Sequence, residues 1–296
     1  MRCGWLDVRS WSIPDLALNR RDLVADAAAA LMRAGIAEPR REALRLWAEI
    51  APGAGEALML DPERPVDAGD QGRLYDLVRR RSAGEPFAYV AGRAGFRRLL
   101  LRCDRRALIP RPETEGLIDL LLARVRTGRV ADVGTGSGCL ALSLATEGDF
   151  GHVVAIDLSK EAIALAEENR REVGAAVHLV LGDLCAPLDD ASLDALVSNP
   201  PYLTTAEYAA LDSSVRQWEP GSALESGADG MAATGRLLAQ GRRVVRPGGW
   251  IALEVDCTRA MVAAARAREL GWSDVVVETD LFGRERYLLA RRSAAT

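Results

Sequence analysis

The sequence predicts an α/β protein with a mostly parallel sheet covered by helices on both faces, preceded by a small all-α region. Two patterns carry this expectation. From Val130 onward, short apolar segments alternate with amphipathic helical segments, as in a sheet whose strands are joined by crossover helices. Upstream, residues 21–86 place their apolar side chains at helical spacing and lack strand-like runs. The 296 residues suffice for one large domain and one small one, and the 49% hydrophobic content allows a substantial core.

Residues 1–20 read as an N-terminal extension. They contain Asp7 and Asp15 and have no continuous apolar stretch, so they do not resemble a signal peptide. In the helical region, Leu23, Ala27, Ala30, Leu31 and Ala34 share one helix face, and Gly35 is a stop signal. Pro39 opens a second helix carrying Ala43, Leu44, Leu46, Trp47 and Ile50, which Pro52, Gly53 and Gly55 break. Asp70 to Ser82 reads as a third, ending near Gly84, with Arg79, Arg80 and Arg81 as a solvated helix end. Residues 87–110 read as a β-hairpin linker, with Tyr89–Gly92 and Phe96–Leu101 as short strands. A proline-rich segment, Ile109-Pro110-Arg111-Pro112-Glu113-Thr114-Glu115, then leads into a helix running to Arg124.

The third region spans residues 111–296. Strands are expected at 129–133, 152–157, 177–181, 193–198, 249–255, 274–280 and 285–291. Helices are expected at 138–147, 160–173, 230–246 and 258–270. The last two strands have only a short turn at Gly283 between them, so they must pair antiparallel.

Composition excludes several function classes. The net charge of −4 argues against a nucleic acid as the main partner. No apolar run is long enough to span a membrane. Five widely spaced cysteines with no C-x-x-C fit reduced thiols in a cytoplasmic protein and no structural zinc. With only His152 and His178, a histidine metal site or a Ser-His-Asp triad has little to work with, and no metal is expected. Arg93, Arg97, Arg98, Arg102, Arg105, Arg106 and Arg111 read mainly as exposed residues of the hairpin, although they could touch an acidic protein or RNA.

The first strand of the sheet leads into Asp132-Val133-Gly134-Thr135-Gly136-Ser137-Gly138. Its glycines allow a sharp turn and a close approach of backbone to ligand, at the positive end of the following helix. Dinucleotide enzymes use G-x-G-x-x-G for a pyrophosphate. Here the spacing is G-x-G-x-G with Asp132 before it, and a carboxylate suits the ammonium of a methionine moiety but repels a phosphate. Asp157 ends the second strand, where it can accept both hydroxyl protons of a ribose. Asp183 follows the third and can accept from an adenine amino group, with Leu184 packing on the base; the plainer reading is a turn cap. Together these residues point to S-adenosylmethionine.

The fourth strand ends in Ser198-Asn199-Pro200-Pro201-Tyr202. An amide or aromatic amine is a poor nucleophile because its lone pair is delocalised. A site that methylates one must hold both N–H bonds. Asn199 can accept one through its side-chain oxygen and the Pro200 carbonyl the other. Pro200 and Pro201 rigidify the segment and remove competing donors, and Tyr202 can stack on a planar group. The bland alternative is a proline turn with Tyr202 in the core.

These residues resemble the bacterial peptide chain release factor glutamine methyltransferases, the HemK/PrmC family. The resemblance covers residue 23 to the end. It includes Glu85-Pro86, Tyr89, Gly92, Phe96, the segment from Ile109 to Glu115, the Gly134–Gly138 loop and Asn199–Tyr202. It also takes in Glu219-Pro220, Ala223-Leu224, Asp229-Gly230, Pro247-Gly248-Gly249, Glu254, Gly283-Arg284 and Arg286. It implies a class I, Rossmann-like, seven-stranded S-adenosylmethionine methyltransferase domain behind a helical substrate-recognition domain and a hairpin. Its implied partners are class 1 peptide chain release factors, methylated on the glutamine of a Gly-Gly-Gln motif by a monomeric enzyme.

By position, the resemblance implies that Gly134, Thr135, Gly136, Ser137, Gly138, Asp157, Leu184 and Asn199 contact the cofactor, and the residue chemistry above adds Asp132 and Asp183 to that expected set. Asn199, Pro200, Pro201 and Tyr202 hold the substrate, with Asn199, Pro200 and Tyr202 as the catalytic set. The segment from Ile109 to Glu115 forms part of the nearby wall. The chain departs from the family pattern at Val255, Asp256 and Arg259.

Asn-Pro-Pro-Tyr also occurs in adenine-N(6) DNA or RNA methyltransferases and in ribosomal protein glutamine methyltransferases, so these four residues alone do not decide the substrate. The short, charge-balanced N-terminal region and the Ile109–Glu115 segment favour release factors. A non-catalytic methyltransferase-like protein is opposed by the intact Asn199 and glycine loop. An NAD(P)-linked oxidoreductase is opposed by the loop spacing.

Overall fold

The computed structural model describes residues 18–50 and 53–294. The expected extension therefore lies, apart from its last three residues, outside the described chain. The chain divides into two compact units between Ala91 and Gly92.

The first unit is helical: α1 (Arg20–Arg33), α2 (Pro39–Ile50), α3 (Ala54–Leu60), α4 (Ala68–Ser82) and α5 (Phe87–Ala91). Asn19 caps α1 by accepting from the Asp22 N–H, and Asp67 caps α4 by accepting from that of Asp70. Gly35 takes a left-handed φ of 80° just past α1, as its stop signal predicts. Leu23, Leu31, Leu46 and Leu74 are fully buried, with Trp47 beside them.

Two expectations fail here. The helix α3 begins at Ala54, so Gly55, read as a helix breaker, lies inside a helix, directly after Gly53 with its left-handed φ of 76°. Residues 87–91 form α5, not a strand: Tyr89 and Val90 donate their N–H groups back to the Pro86 carbonyl. The apolar aromatic composition that suggested a strand instead buries Tyr89 and Val90 in helical form. Arg80 and Arg81 are also not simply solvated. They pair with Glu85 and Glu42, whereas Arg79 remains exposed beside Asp76.

The second unit opens with the hairpin β1 (Arg93–Phe96) and β2 (Leu99–Arg102), followed by a 3-10 turn at Pro112–Thr114 and α6 (Glu115–Leu122). The sheet then runs β3 (Thr127–Val133), α7 (Cys139–Glu147), β4 (Asp149–Asp157), α8 (Lys160–Val173), β5 (Val177–Leu181) and β6 (Leu193–Ser198). Two short helices, α9 (Thr205–Ala210) and α10 (Ser213–Trp218), precede α11 (Ala232–Val244), β7 (Val245–Glu254), α12 (Ala260–Glu269), β8 (Trp272–Thr279) and β9 (Glu285–Arg292). All seven expected strands are present.

The strand order is β5-β4-β3-β6-β7-β9-β8. The contacts among β3 to β7 are parallel, and β9 is antiparallel to both β7 and β8. The last strand in the chain is thus inserted beside the edge rather than added outside it. The α12 crossover carries β8 to the edge, and the hairpin returns β9 into the gap. One core lies on each face of the sheet, built around Leu117, Leu121 and Leu144 on one side and Leu196, Leu237 and Leu253 on the other.

The hairpin is fastened to this unit. Arg97 turns it with a left-handed φ of 52°, a conformation costing about 1 kcal/mol for a residue with a Cβ. Its N–H donates to Glu115 Oε1 at 2.8 Å, and its guanidinium donates to Glu147 at 2.7 Å and Asp119 at 2.8 Å. Arg97 is therefore a half-buried structural cation, and Arg102, Arg106 and Arg111 are likewise paired within the chain.

Within β7, no side chain fits at Gly249. A Cβ there would lie 2.7 Å from Val245 Cγ1 and 2.8 Å from the Asp194 carbonyl oxygen. Gly249→Ala should lower stability by about 1–3 kcal/mol, seen as a lower urea midpoint.

Candidate active site

The carboxyl ends of β3, β4, β5, β6 and β7 gather at one edge of the sheet, where open α/β folds bind ligands. A cleft of about 470 Å³ opens there.

Its floor is the turn from β3 to α7. Gly134, Gly136 and Gly138 have φ values of 76°, 55° and 86°. Such left-handed values suit glycine and let the backbone come close to a ligand. Gly134 and Thr135 both donate to the Ile156 carbonyl, at 2.8 and 2.9 Å. Gly136 donates to Asp157 Oδ2 at 2.9 Å, and Ser159 to Oδ1 at 2.9 Å. Beneath the turn, Asn169 of α8 is fully buried; it donates to the Ser137 carbonyl at 2.9 Å and accepts from the Arg102 N–H at 2.6 Å. This one side chain ties the glycine turn to the hairpin. A lone asparagine inside a helix gave no signal of that in the sequence.

Asp132 is also below the turn and has no exposed surface. One oxygen accepts from Thr135 Oγ1 at 2.6 Å and the Ala141 N–H at 3.1 Å; the other, Oδ1, is without a hydrogen-bond partner among the described residues. Burial pushes its carboxyl up to about 7.

Of the residues expected to bind the cofactor, Gly134, Thr135, Gly136, Ser137, Asp157, Asp183, Leu184 and Asn199 line the cleft. Asp132 and Gly138 lie behind this surface, Gly138 as the cap of α7. Asp183 pairs with Arg236 of α11 at 2.6 Å across the cleft's edge. Leu184 holds a left-handed φ of 48°, and the next residue is fixed by its N–H donating to Gln240 Oε1 at 3.0 Å.

Among the expected substrate residues, Asn199 and Pro201 line the cleft, Pro200 is buried, and Tyr202 lies outside this lining. Burial pushes the Tyr202 phenol up to about 12, and the nearby Glu254 adds to that shift. Asn199 Nδ2 donates to Thr114 Oγ1 at 2.9 Å, and Thr114 Oγ1 donates to Glu254 Oε2 at 2.6 Å. Thr114 belongs to the proline-rich segment; Glu254 ends β7. Glu254 is 1% exposed, burial pushes its carboxyl up to about 7, and Arg286 stands 3.9 Å away. The same segment is held by Arg111, paired at 2.6 Å with buried Glu219, and by the Tyr287 hydroxyl donating to the Glu113 carbonyl.

Asp132 and Glu254 give stability a defined pH dependence. Each carboxyl is raised from about 4 to about 7 in the fold, so between those values the folded chain binds more protons than the unfolded one. The contribution of these two carboxyls to stability is greatest below that window, falls as pH rises through it, and levels off above about 7. Against Asp132→Asn, the unmodified chain should lose up to about 1.4 kcal/mol per pH unit between roughly pH 4.5 and 7 in urea denaturation series. Parallel curves for the two proteins would contradict a neutral, buried Asp132.

Similar proteins show the family to which the chain belongs. A family profile described as "Methyltransferase small domain" matches residues 112–217, and "PrmC N-terminal domain" matches residues 22–92. A release factor glutamine methyltransferase of Deinococcus radiodurans is 40% identical over 93% of this chain and 99% of its own length. One from Nitratidesulfovibrio vulgaris is 40% identical over 80% of this chain and 82% of its own. One from Moorella thermoacetica is 36% identical over 93% and 99%. With this degree of identity along nearly its whole length, the chain belongs to the release factor glutamine methyltransferase family, whose members are S-adenosylmethionine-dependent enzymes.

Proposed function

We infer that the chain methylates the side-chain amide nitrogen of the glutamine in the Gly-Gly-Gln motif of class 1 peptide chain release factors. The observation that carries this reading is the pinned amide of Asn199: its nitrogen is engaged by Thr114, which leaves its oxygen to accept a proton donor in the cleft.

The cleft suits S-adenosylmethionine. Each oxygen of Asp157 accepts one backbone N–H, so each keeps a lone pair for a ribose hydroxyl. Leu158, Leu184 and Ala162 supply apolar wall for a base, and the unpartnered Oδ1 of Asp132, ionised above about pH 7, then places negative potential under the glycine turn, where an ammonium belongs. Asp183 is held by Arg236, so it can accept from an adenine amino group only with the oxygen that this pair leaves available. When bound, S-adenosylmethionine supplies a methyl group made electrophilic by its positive sulfur.

The residues of this chain then have to hold a poor nucleophile still. Asn199 Oδ1 accepts one N–H of the glutamine amide and the Pro200 carbonyl accepts the other. Pro200 and Pro201 keep that carbonyl in place. The nitrogen–carbon bond forms as the sulfur–carbon bond breaks, and one amide proton passes to solvent. Most of the acceleration comes from positioning. Tyr202, one residue past the cleft-lining Pro201, is assigned to stacking on the amide. Residues 21–86 serve as the substrate-recognition domain.

Asn199→Ala should lower kcat by about 10²-fold or more. Purified enzyme incubated with labelled S-adenosylmethionine and release factor should label one tryptic peptide, and Gln→Ala in the Gly-Gly-Gln motif should abolish the label. A label on nucleic acid, or undiminished turnover in Asn199→Ala, would overturn the assignment.

A further inference from the structure

We propose that Thr114 and Glu254 are positioning residues that determine which end of the Asn199 amide faces the reacting group. This rests on the reading of Asn199 as the acceptor of a substrate N–H.

The two ends of an asparagine amide have nearly the same shape, so packing alone does not choose between them. A hydrogen-bond chain of fixed polarity does. An ionised carboxylate can only accept. The Thr114 hydroxyl, 2.6 Å from Glu254 Oε2, must therefore spend its single proton on that carboxylate. Its oxygen is left as an acceptor, and the group 2.9 Å away must be the Asn199 NH2. Turning the amide over would set two oxygens against each other with no proton between them, in a site where Thr114 is 2% exposed and Glu254 1%. The Asn199 oxygen is thus directed to the opposite side.

The chain is poled this way once Glu254 is ionised. Burial opposes that anion most strongly and Glu113 adds to it, whereas Arg286 and Arg111 favour it, and the phenols of Tyr202 and Tyr287 lie near the same carboxylate. Asp280 accepts from Arg286 Nε at 2.9 Å and holds that cation in place. Protonation of Glu254 would remove the constraint. The acid could then donate to the Thr114 oxygen, the threonine proton would turn towards Asn199, and the reversed amide would become as favourable as the first.

Three substitutions test this in the full chain. Thr114→Val removes the hydroxyl and should lower kcat by about 10–10²-fold, with KM for the release factor and Kd for S-adenosylmethionine within about threefold of the unmodified enzyme. Thr114→Ser restores the hydroxyl and should recover at least about a third of kcat. Glu254→Gln can present an NH2 to Thr114, reverse the chain, and lower kcat as Thr114→Val does. Thr114→Val should add little in an Asn199→Ala background, because both act on one acceptor.

A readout independent of turnover is the side-chain NH2 resonance of Asn199 in 15N spectra. It should move in Thr114→Val, stay in Thr114→Ser, and titrate with Glu254. Should Glu254→Gln fail to fold, the two Thr114 variants still decide. Thr114→Val within about threefold of normal kcat, or an Asn199 resonance indifferent to Thr114, overturns the proposal. An unmodified enzyme that labels no glutamine defeats the functional reading alone, because the resonance test still stands.

Discussion

The turn at Gly134–Gly138 has to leave a buried strand, bring its backbone close to a ligand, and enter a helix within five residues. No regular structure satisfies the backbone there, so the rest of the unit is arranged to hold it. The Ile156 carbonyl takes two of its N–H groups, the Asp157 carboxylate takes a third, and Asn169 holds the Ser137 carbonyl from below. Because Ile156 and Asp157 belong to the neighbouring strand β4, the turn keeps its shape only while the β3–β4 register holds, with Val133 opposite Ile156. Sheet pairing and cofactor geometry are therefore one constraint.

The parallel sheet explains why so much of the site could be read from the chain. Each parallel strand releases its following loop at the same edge, so strand ends found by apolar periodicity already mark a set of residues that must converge. Asp157, Asp183 and Asn199 follow that rule, and all three line one cleft. Glu254 obeys it too, at the end of β7, and only the family resemblance drew notice to it. What the rule does not convey is depth. Asp132 and Pro200 belong to the right segments but lie beneath the surface, since a residue's place along a strand end does not say which way its side chain turns. Asn169 and Arg236 were invisible because they reach the site from helix interiors, where a polar residue ordinarily means solvent.

The arginines illustrate the same limit from the other side. An arginine-rich stretch at 93–111 suggests an exposed or nucleic-acid-facing patch. In the fold, Arg97, Arg102, Arg106 and Arg111 are each matched by a carboxylate at least 50 residues away in sequence, Glu147, Glu172, Glu168 and Glu219. Long-range pairing of this kind depends on topology and cannot be counted from local charge. With arginine replacing lysine almost everywhere, planar guanidinium groups can bridge two acids at once, as Arg97 does between Glu147 and Asp119.

The proline-rich segment from Ile109 to Glu115 joins these themes. Arg111 fastens it to Glu219, which follows α10, and the Glu113 carbonyl is fastened to Tyr287 of β9. Pro110 and Pro112 stiffen the chain between those anchors. A threonine on a flexible loop would lose its alignment with Glu254 at modest entropic gain. Anchored on both sides and bordered by prolines, Thr114 is instead held within hydrogen-bond distance of an acid on β7 and an amide after β6. The segment is a brace between two strand ends as well as a wall of the cleft, which Ile109, Pro110, Arg111 and Thr114 line, and its rigidity is what lets a single buried proton position carry information to the reacting group.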